Sequence, residues 1–225
     1  MRYLLALLLG LWGSGLPAMP LTFTSSLYQT TAFAQVGAVA DTPLSDSNPP
    51  SLFPLLTTAS VTSGADKADA AGTADDGFLG TSAEVTSVIQ DASALASAEF
   101  TGDFVASGGP LLLTFDFESQ LPVLTNALAE NKLLVKLIGN GSTLLEETFS
   151  ATGLITRAVY LPAGTTQGTL DLLLTSSAEA TVGSALGLAT VSFTADIPEP
   201  PGWALLAPGL AFLGLRGRRR GPTAG

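Results

Sequence analysis

From Ala96 onward, apolar and polar residues alternate with a period of two. In AEFTGDFVA, Ala98, Phe100, Gly102, Phe104 and Ala106 fall on one side, with Glu99, Thr101 and Asp103 on the other. In LLLTFDFE, Leu111, Leu113, Phe115 and Phe117 oppose Thr114, Asp116 and Glu118. This is the period of half-buried β-strands. KLLVKLI and STLLEETF flank Asn140-Gly141, the pair favoured in a two-residue type I′ hairpin. ITRAVYL and TLDLLLT flank Pro162-Ala163-Gly164, which suits a turn with Pro second and Gly fourth. LGLATVSFTA closes the set. Seven or eight short strands in about 100 residues predict an antiparallel β-sandwich, jelly-roll-like, over residues 96–196.

The pattern is different upstream. Residues 35–95 are rich in Ala, Ser, Thr and Asp, as in DTPLSDSNPP and SGADKADAAGTADDG, which reads as a linker. Within it, SLFPLLTTASV is apolar enough to pack on something. Thr81 and Glu84 fit a capping box, and Val85, Val88, Ile89 and Ala92 follow at helical spacing, so a short helix is expected over 82–95. The β-branched residues there leave a strand as the alternative.

The two ends carry delivery signals. MRYLLALLLGLWGSGLPAMP has one positive charge, Arg2, and a ten-residue apolar run, Tyr3 to Trp12. That length suits the helical core of a secretory signal peptide, assigned to residues 1–34, and falls short of a membrane span. Three cut positions fit: after Ala18, with Leu16 third from the bond; after Ala34, in Ala32-Phe33-Ala34; and after Ala40, in Ala38-Val39-Ala40. At the other end, Gly202 to Leu215 is fourteen uncharged residues, about 21 Å as a hydrophobic helix, against a hydrocarbon core of about 30 Å. Pro208 interrupts it. Arg216, Arg218, Arg219 and Arg220 then form a basic stop held on the cytoplasmic side. Both ends place the acidic middle outside the cell.

Ile197-Pro198-Glu199-Pro200, an apolar run and a terminal arginine cluster together resemble the PEP-CTERM sorting signal of exported bacterial proteins, here over residues 197–225. The resemblance implies that Pro198, Glu199 and Pro200 are the recognition element and that the membrane enzyme exosortase processes the tail. It also implies transient contact with the export machinery and the inner membrane, and a setting in the envelope or the extracellular polysaccharide of a biofilm. Two features depart from the pattern: Ile197 stands where Val is frequent, and GPTAG follows the arginines.

Composition narrows the chemistry. The 225 residues include no cysteine and no histidine, which removes disulfides, thiolate metal sites and imidazole mechanisms. Formal net charge is −10, and between the two signals the only basic residues are Lys67, Lys132, Lys136 and Arg157, so nucleic acid is not an expected partner. Asp116 and Glu118 form the sharpest carboxylate pair, roughly 7 Å apart on one strand face, a spacing compatible with glycoside hydrolysis. They are equally the polar positions of an amphipathic strand, and no enzyme is expected. Asp75-Asp76, or Asp66 with Asp69, offer oxygens for weak Ca²⁺ binding, without the alternation of an EF-hand loop. Asn140-Gly141-Ser142 matches a glycosylation acceptor, which the hairpin explains as well. A structural or adhesive role is expected, with a carbohydrate-binding module or a membrane-anchored binding protein as alternatives. Against sugar stacking, the predicted domain holds one Tyr, Tyr160, and no Trp.

Overall fold

The computed structural model describes residues 19–48, 54–106, 108–122 and 126–198. They form strands β1 (Met19–Pro20), β2 (Phe23–Val36), β3 (Val39–Ala40), β4 (Leu44–Asn48), β5 (Leu55–Ser63), β6 (Asp66–Asp75) and β7 (Phe78–Ser87). These are followed by β8 (Ala92–Val105), β9 (Gly109–Gln120), β10 (Ala127–Gly139), β11 (Ser142–Phe149), β12 (Gly153–Leu161), β13 (Gln167–Ala180) and β14 (Gly183–Ile197). The first sheet runs β12-β9-β14-β7-β6-β5 and the second β11-β10-β13-β8-β2-β3, with β4 also on β2. The pairings are antiparallel. The β-sandwich is thus present, and the predicted region supplies seven of its strands, β8 to β14. Among the described residues there is no helix. The signal-peptide core, Glu199, Pro200 and the C-terminal apolar segment with its arginines lie outside the described residues.

Two expectations need correction. The described residues of the linker over 35–95 are mainly strand, and the helix expected over 82–95 is instead the end of β7, a bend at 88–90 and the start of β8, as the β-branched alternative had it. β5, β6 and β7 form a meander in register from Leu55 to Ser87. Thr81 is no helix cap; it is buried, and its hydroxyl lies 2.7 Å from that of Ser176 on the opposite sheet. The sandwich also begins well before Ala96. Its compact body is Leu21–Ala195, and β2, taken as part of the leader, lies inside the second sheet between β8 and the short strands β3 and β4.

The reason is a graded core. Inward positions of β13 run Leu170, Leu172, Leu174, Ser176, Ala178, Ala180, all buried. In register beside them, β10 runs Leu137, Val135, Leu133, Asn131 and then Ala129 and Ala127. β2 passes from Tyr28 through Thr30 to Ala32 and Ala34, and β8 from Phe100 to Ala98, Ala96 and Ala94. One half of the sandwich is thus filled by rings, with Phe100 4.9 Å from Tyr28 and 4.7 Å from Phe193 between centroids. The other half is filled mainly by alanine, including Ala59, Ala68, Ala70, Ala83 and Ala185. Small side chains there are what two closely spaced sheets require.

A polar belt marks the step between the halves. Thr30 and Thr57 bond across the sheets at 2.7 Å, as Thr81 does with Ser176. Asn131 Nδ2 donates to Leu188 O at 2.9 Å and Ser119 Oγ at 3.0 Å, tying β10 to β14 and β9. Gly72 lies in this belt: a Cβ there would sit 2.6 Å from the Ser97 carbonyl oxygen. One open side of the sandwich is bridged by charge. Arg157 on edge strand β12 bonds Glu147 on edge strand β11 at 2.8 Å and lies 5.1 Å from the centre of the Phe149 ring.

In the body, Leu21 N–H donates to Ala195 C=O at 2.7 Å. In the separate terminal unit, Met19 and Pro20 pair antiparallel with Ile197 and Asp196.

Gly72→Ala is expected to destabilise the protein by about 1–3 kcal/mol through overpacking against backbone. Gly153→Ala, where a Cβ meets nothing within 4 Å, should stay within about 0.5 kcal/mol of the parent. Denaturant unfolding of the two variants checks the contrast.

Candidate functional site

The polar sides of β10, β13, β8 and β2 assemble the outer face of the second sheet. Alternation along each strand sends every second residue outward, and antiparallel register lines these residues up in rows. One row is Leu134, Leu173, Glu99 and Gln29; the next is Lys132, Thr175, Ser97 and Thr31; the next is Glu130, Ser177, Leu95 and Phe33. From Ser93 to Asp103 this face runs roughly 33 Å along β8 at strand rise.

Each end of the face opens into a groove. One, about 530 Å³, includes the row Leu128, Glu179, Ser93 and Gln35 together with Asp91 and Thr181. The other, about 440 Å³, holds Asp103, Thr169, Gln167 and Asn140. Between them lie hydroxyls, amides and carboxylates with a small apolar platform: Phe33, half-buried, sits beside Leu95, which is 47% exposed.

The electrostatics are acidic. Burial, and next the neighbouring charge of Asp171, pushes the Glu99 carboxyl above its ordinary value. Asp103 is held below its ordinary value by Thr169 Oγ1 at 2.7 Å and then by Ser25 Oγ at 2.8 Å, both donating to its carboxylate. Lys132 and Lys136 pair with Glu130 and Glu146 at 2.8 and 3.9 Å. These pairs are exposed and contribute little to stability, but they leave the face without an unpaired cation among its described residues. Such a surface repels polyanions.

The residues singled out from sequence are dispersed. Asp116 and Glu118 share the exposed side of β9, in the first sheet, and line neither groove. Asp66 is 1% exposed, and its carboxylate accepts the backbone N–H groups of Val88, Ile89 and Gln90, which hold its titration below the ordinary range. Asp69 is on the opposite side of β6, bonded to Ser60 and Lys67. Asp75 accepts the Asp76 N–H beside the β6–β7 turn. Among the described residues no group of three or more acidic side chains gathers to hold a metal ion. Asn140 and Gly141 have φ of 47° and 78°, as the predicted turn demands, and the Asn140 side chain bonds to Gly164, Thr166 and Gln167. Tyr160 is 71% exposed on edge strand β12, in the first sheet and apart from the face described here. Pro198 follows β14 directly. Among the described residues no helix is long and apolar enough to cross a membrane.

Sequence reasoning missed Gln29, Phe33 and Gln35. The alternation Tyr28, Thr30, Ala32, Ala34, Val36 could have found them, had the A-x-A motif not been read as a leader end.

No protein-family model and no curated protein matches the chain. Among solved structures, it is similar to TmCBM61 in complex with β-1,4-galactotriose: 10% identity, 64% of this chain and 88% of that one, TM-score 0.28. It is also similar to the carbohydrate-binding module CBM36 with calcium and xylotriose, at 13% identity over 49% of this chain and 78% of that one, TM-score 0.19. A third is a structure of accessory secretory proteins 1, 2 and 3 of Streptococcus pneumoniae, at 15% identity over 61% and 88%, TM-score 0.21. Likeness at this level assigns neither family nor ligand.

Because the folded state raises the Glu99 titration, the carboxyl costs stability once ionised. That cost is absent below the ordinary carboxylate range, about pH 4, and develops as pH rises through it to the folded value. Glu99→Gln should therefore unfold at a higher temperature than the parent at pH 7 and at the same temperature at pH 3, as thermal melts at both pH values would show.

Proposed function

We propose that this chain is an exported bacterial surface or matrix protein, in which a non-catalytic β-sandwich is delivered by an N-terminal signal peptide and sorted by a PEP-CTERM-like C-terminus. The observation that carries the reading is the pairing of Met19–Pro20 with Asp196–Ile197. It sets Met19 and Pro20 beside Ile197 and Asp196, the residue pair nearest to Pro198, which supports a shared point of departure for the two proposed signals. Neighbouring departure points suit two segments directed to one bilayer, and an acidic body between basic termini fits a domain held outside. Exosortase and the export machinery are the partners on this reading, with the inner membrane a transient one. The site residues are Pro198, Glu199 and Pro200, with Arg216, Arg218, Arg219 and Arg220 as the stop.

Intact-mass spectrometry of the protein from its native host tests this. The parent should lose its tail near Pro198 and Glu199→Ala should retain it. A full tail in both, in the membrane fraction, would mean a simple anchor.

A second reading concerns the ligand, and the outer face of the second sheet favours it. Phe33 and Leu95 offer an apolar platform among amides and hydroxyls, with a groove at each end and no unpaired cation among the described residues of the face. An uncharged polysaccharide suits that combination, through ring-face contact and hydrogen bonds to its hydroxyls. Phe33→Ala should weaken retention on an insoluble neutral polysaccharide about fivefold, the equivalent of ~1 kcal/mol, while Tyr160→Ala leaves it unchanged. Equal retention of both variants and the parent removes this surface as the site.

A further inference from the structure

We propose that proteolytic maturation occurs at the Ala18–Met19 bond, so that the exported chain begins at Met19. The proposal rests on the export reading above and decides among three bonds that the sequence leaves open.

The fold excludes the two later bonds. β2 pairs with β8 through thirteen register pairs, of which only Gln35–Ser93 and Val36–Ala92 lie beyond Ala34. A cut after Ala34 strips eleven of them, and a cut after Ala40 strips all. Either leaves β8, a central strand, with one backbone edge unpaired. Losses inside the body would be as severe. Tyr28, 2% exposed, packs on Phe100 and accepts the Gly77 N–H at 3.2 Å, and Thr30 supplies the belt bond to Thr57. Phe23 packs edge-on against Phe100 at 5.2 Å between centroids.

The fold also sets how late a tolerated cut can be. Leu21 is the first buried residue described, 7% exposed, and its N–H is bonded to Ala195 C=O. Met19 and Pro20 are exposed. Ala18 supplies the small residue at the bond, although Leu16 stands where the A-x-A pattern has its other small residue, and the cut falls before the body, which starts at Leu21. The step is hydrolysis. Water adds across the bond, its oxygen completing the Ala18 carboxylate while the Met19 nitrogen leaves as a free amine.

Full-length protein produced in its native host and recovered from the exported fraction, then subjected to N-terminal sequencing and intact-mass measurement, tests the assignment. The expected first residue is Met19. Ala18→Leu should abolish chains starting at Met19, and Ala40→Leu, at an exposed position, should leave the start unchanged. A first residue of Gln35 or Asp41, or any exported start other than Met19, overturns the assignment while sparing the export reading. A chain that keeps Met1 overturns the export reading and the assignment with it.

Discussion

The two sheets touch most closely where side chains are smallest, and that contact sets the rest of the architecture. At Gly72 the backbone of β6 lies so near Ser97 that even a methyl group has no room. On one side of this belt the gap is filled by alanine, on the other by phenylalanine, tyrosine and leucine. An unpaired buried donor or acceptor in such a contact costs about 1–3 kcal/mol, and among the described side chains of the belt Asn131 Oδ1 alone is left without a hydrogen-bond partner. Thr30 with Thr57 and Thr81 with Ser176 avoid that cost across the gap. Their bonds are directional where alanine contacts are not, so they fix the register of one sheet on the other.

The same grading explains what could be read from the sequence. β8 to β14 were legible because Leu and Phe alternate with Asp, Glu and Thr at high contrast. Asn140-Gly141 was legible because positive φ at both positions leaves few other choices. β5 to β7 were not. Ala68, Ala70, Gly72 and Ala74 alternate as strictly as any strand, yet alanine and glycine carry little hydrophobic signal and read as linker. Only the spacing between sheets, a tertiary property, makes them the right size. β2 was hidden by its own buried alanines, Ala32 and Ala34, which imitate a cleavage motif. The candidate face suffered in consequence: Gln29, Phe33 and Gln35 lie on β2, and both platform residues, Phe33 and Leu95, fell outside the predicted domain.

Edges needed separate solutions. β11 and β12 turn a charged pair inward, Glu147 and Arg157, where a hydrophobic edge would invite another strand. At the far edge of the first sheet, the Ser60 N–H of β5 is taken by the Asp41 carboxylate. With few basic residues available, the chain spends its one described arginine on this closure and not on the candidate face.

The position of β14 has a mechanical consequence. It is the last strand of the body, and in the first sheet it lies between β9 and β7. A load applied through the C-terminus would therefore run along a strand hydrogen-bonded on both sides. Its ladders would be strained in shear, many bonds sharing the force at once, where an edge strand would be peeled one bond at a time. A domain tethered by that end would resist drag better than its modest alanine core suggests.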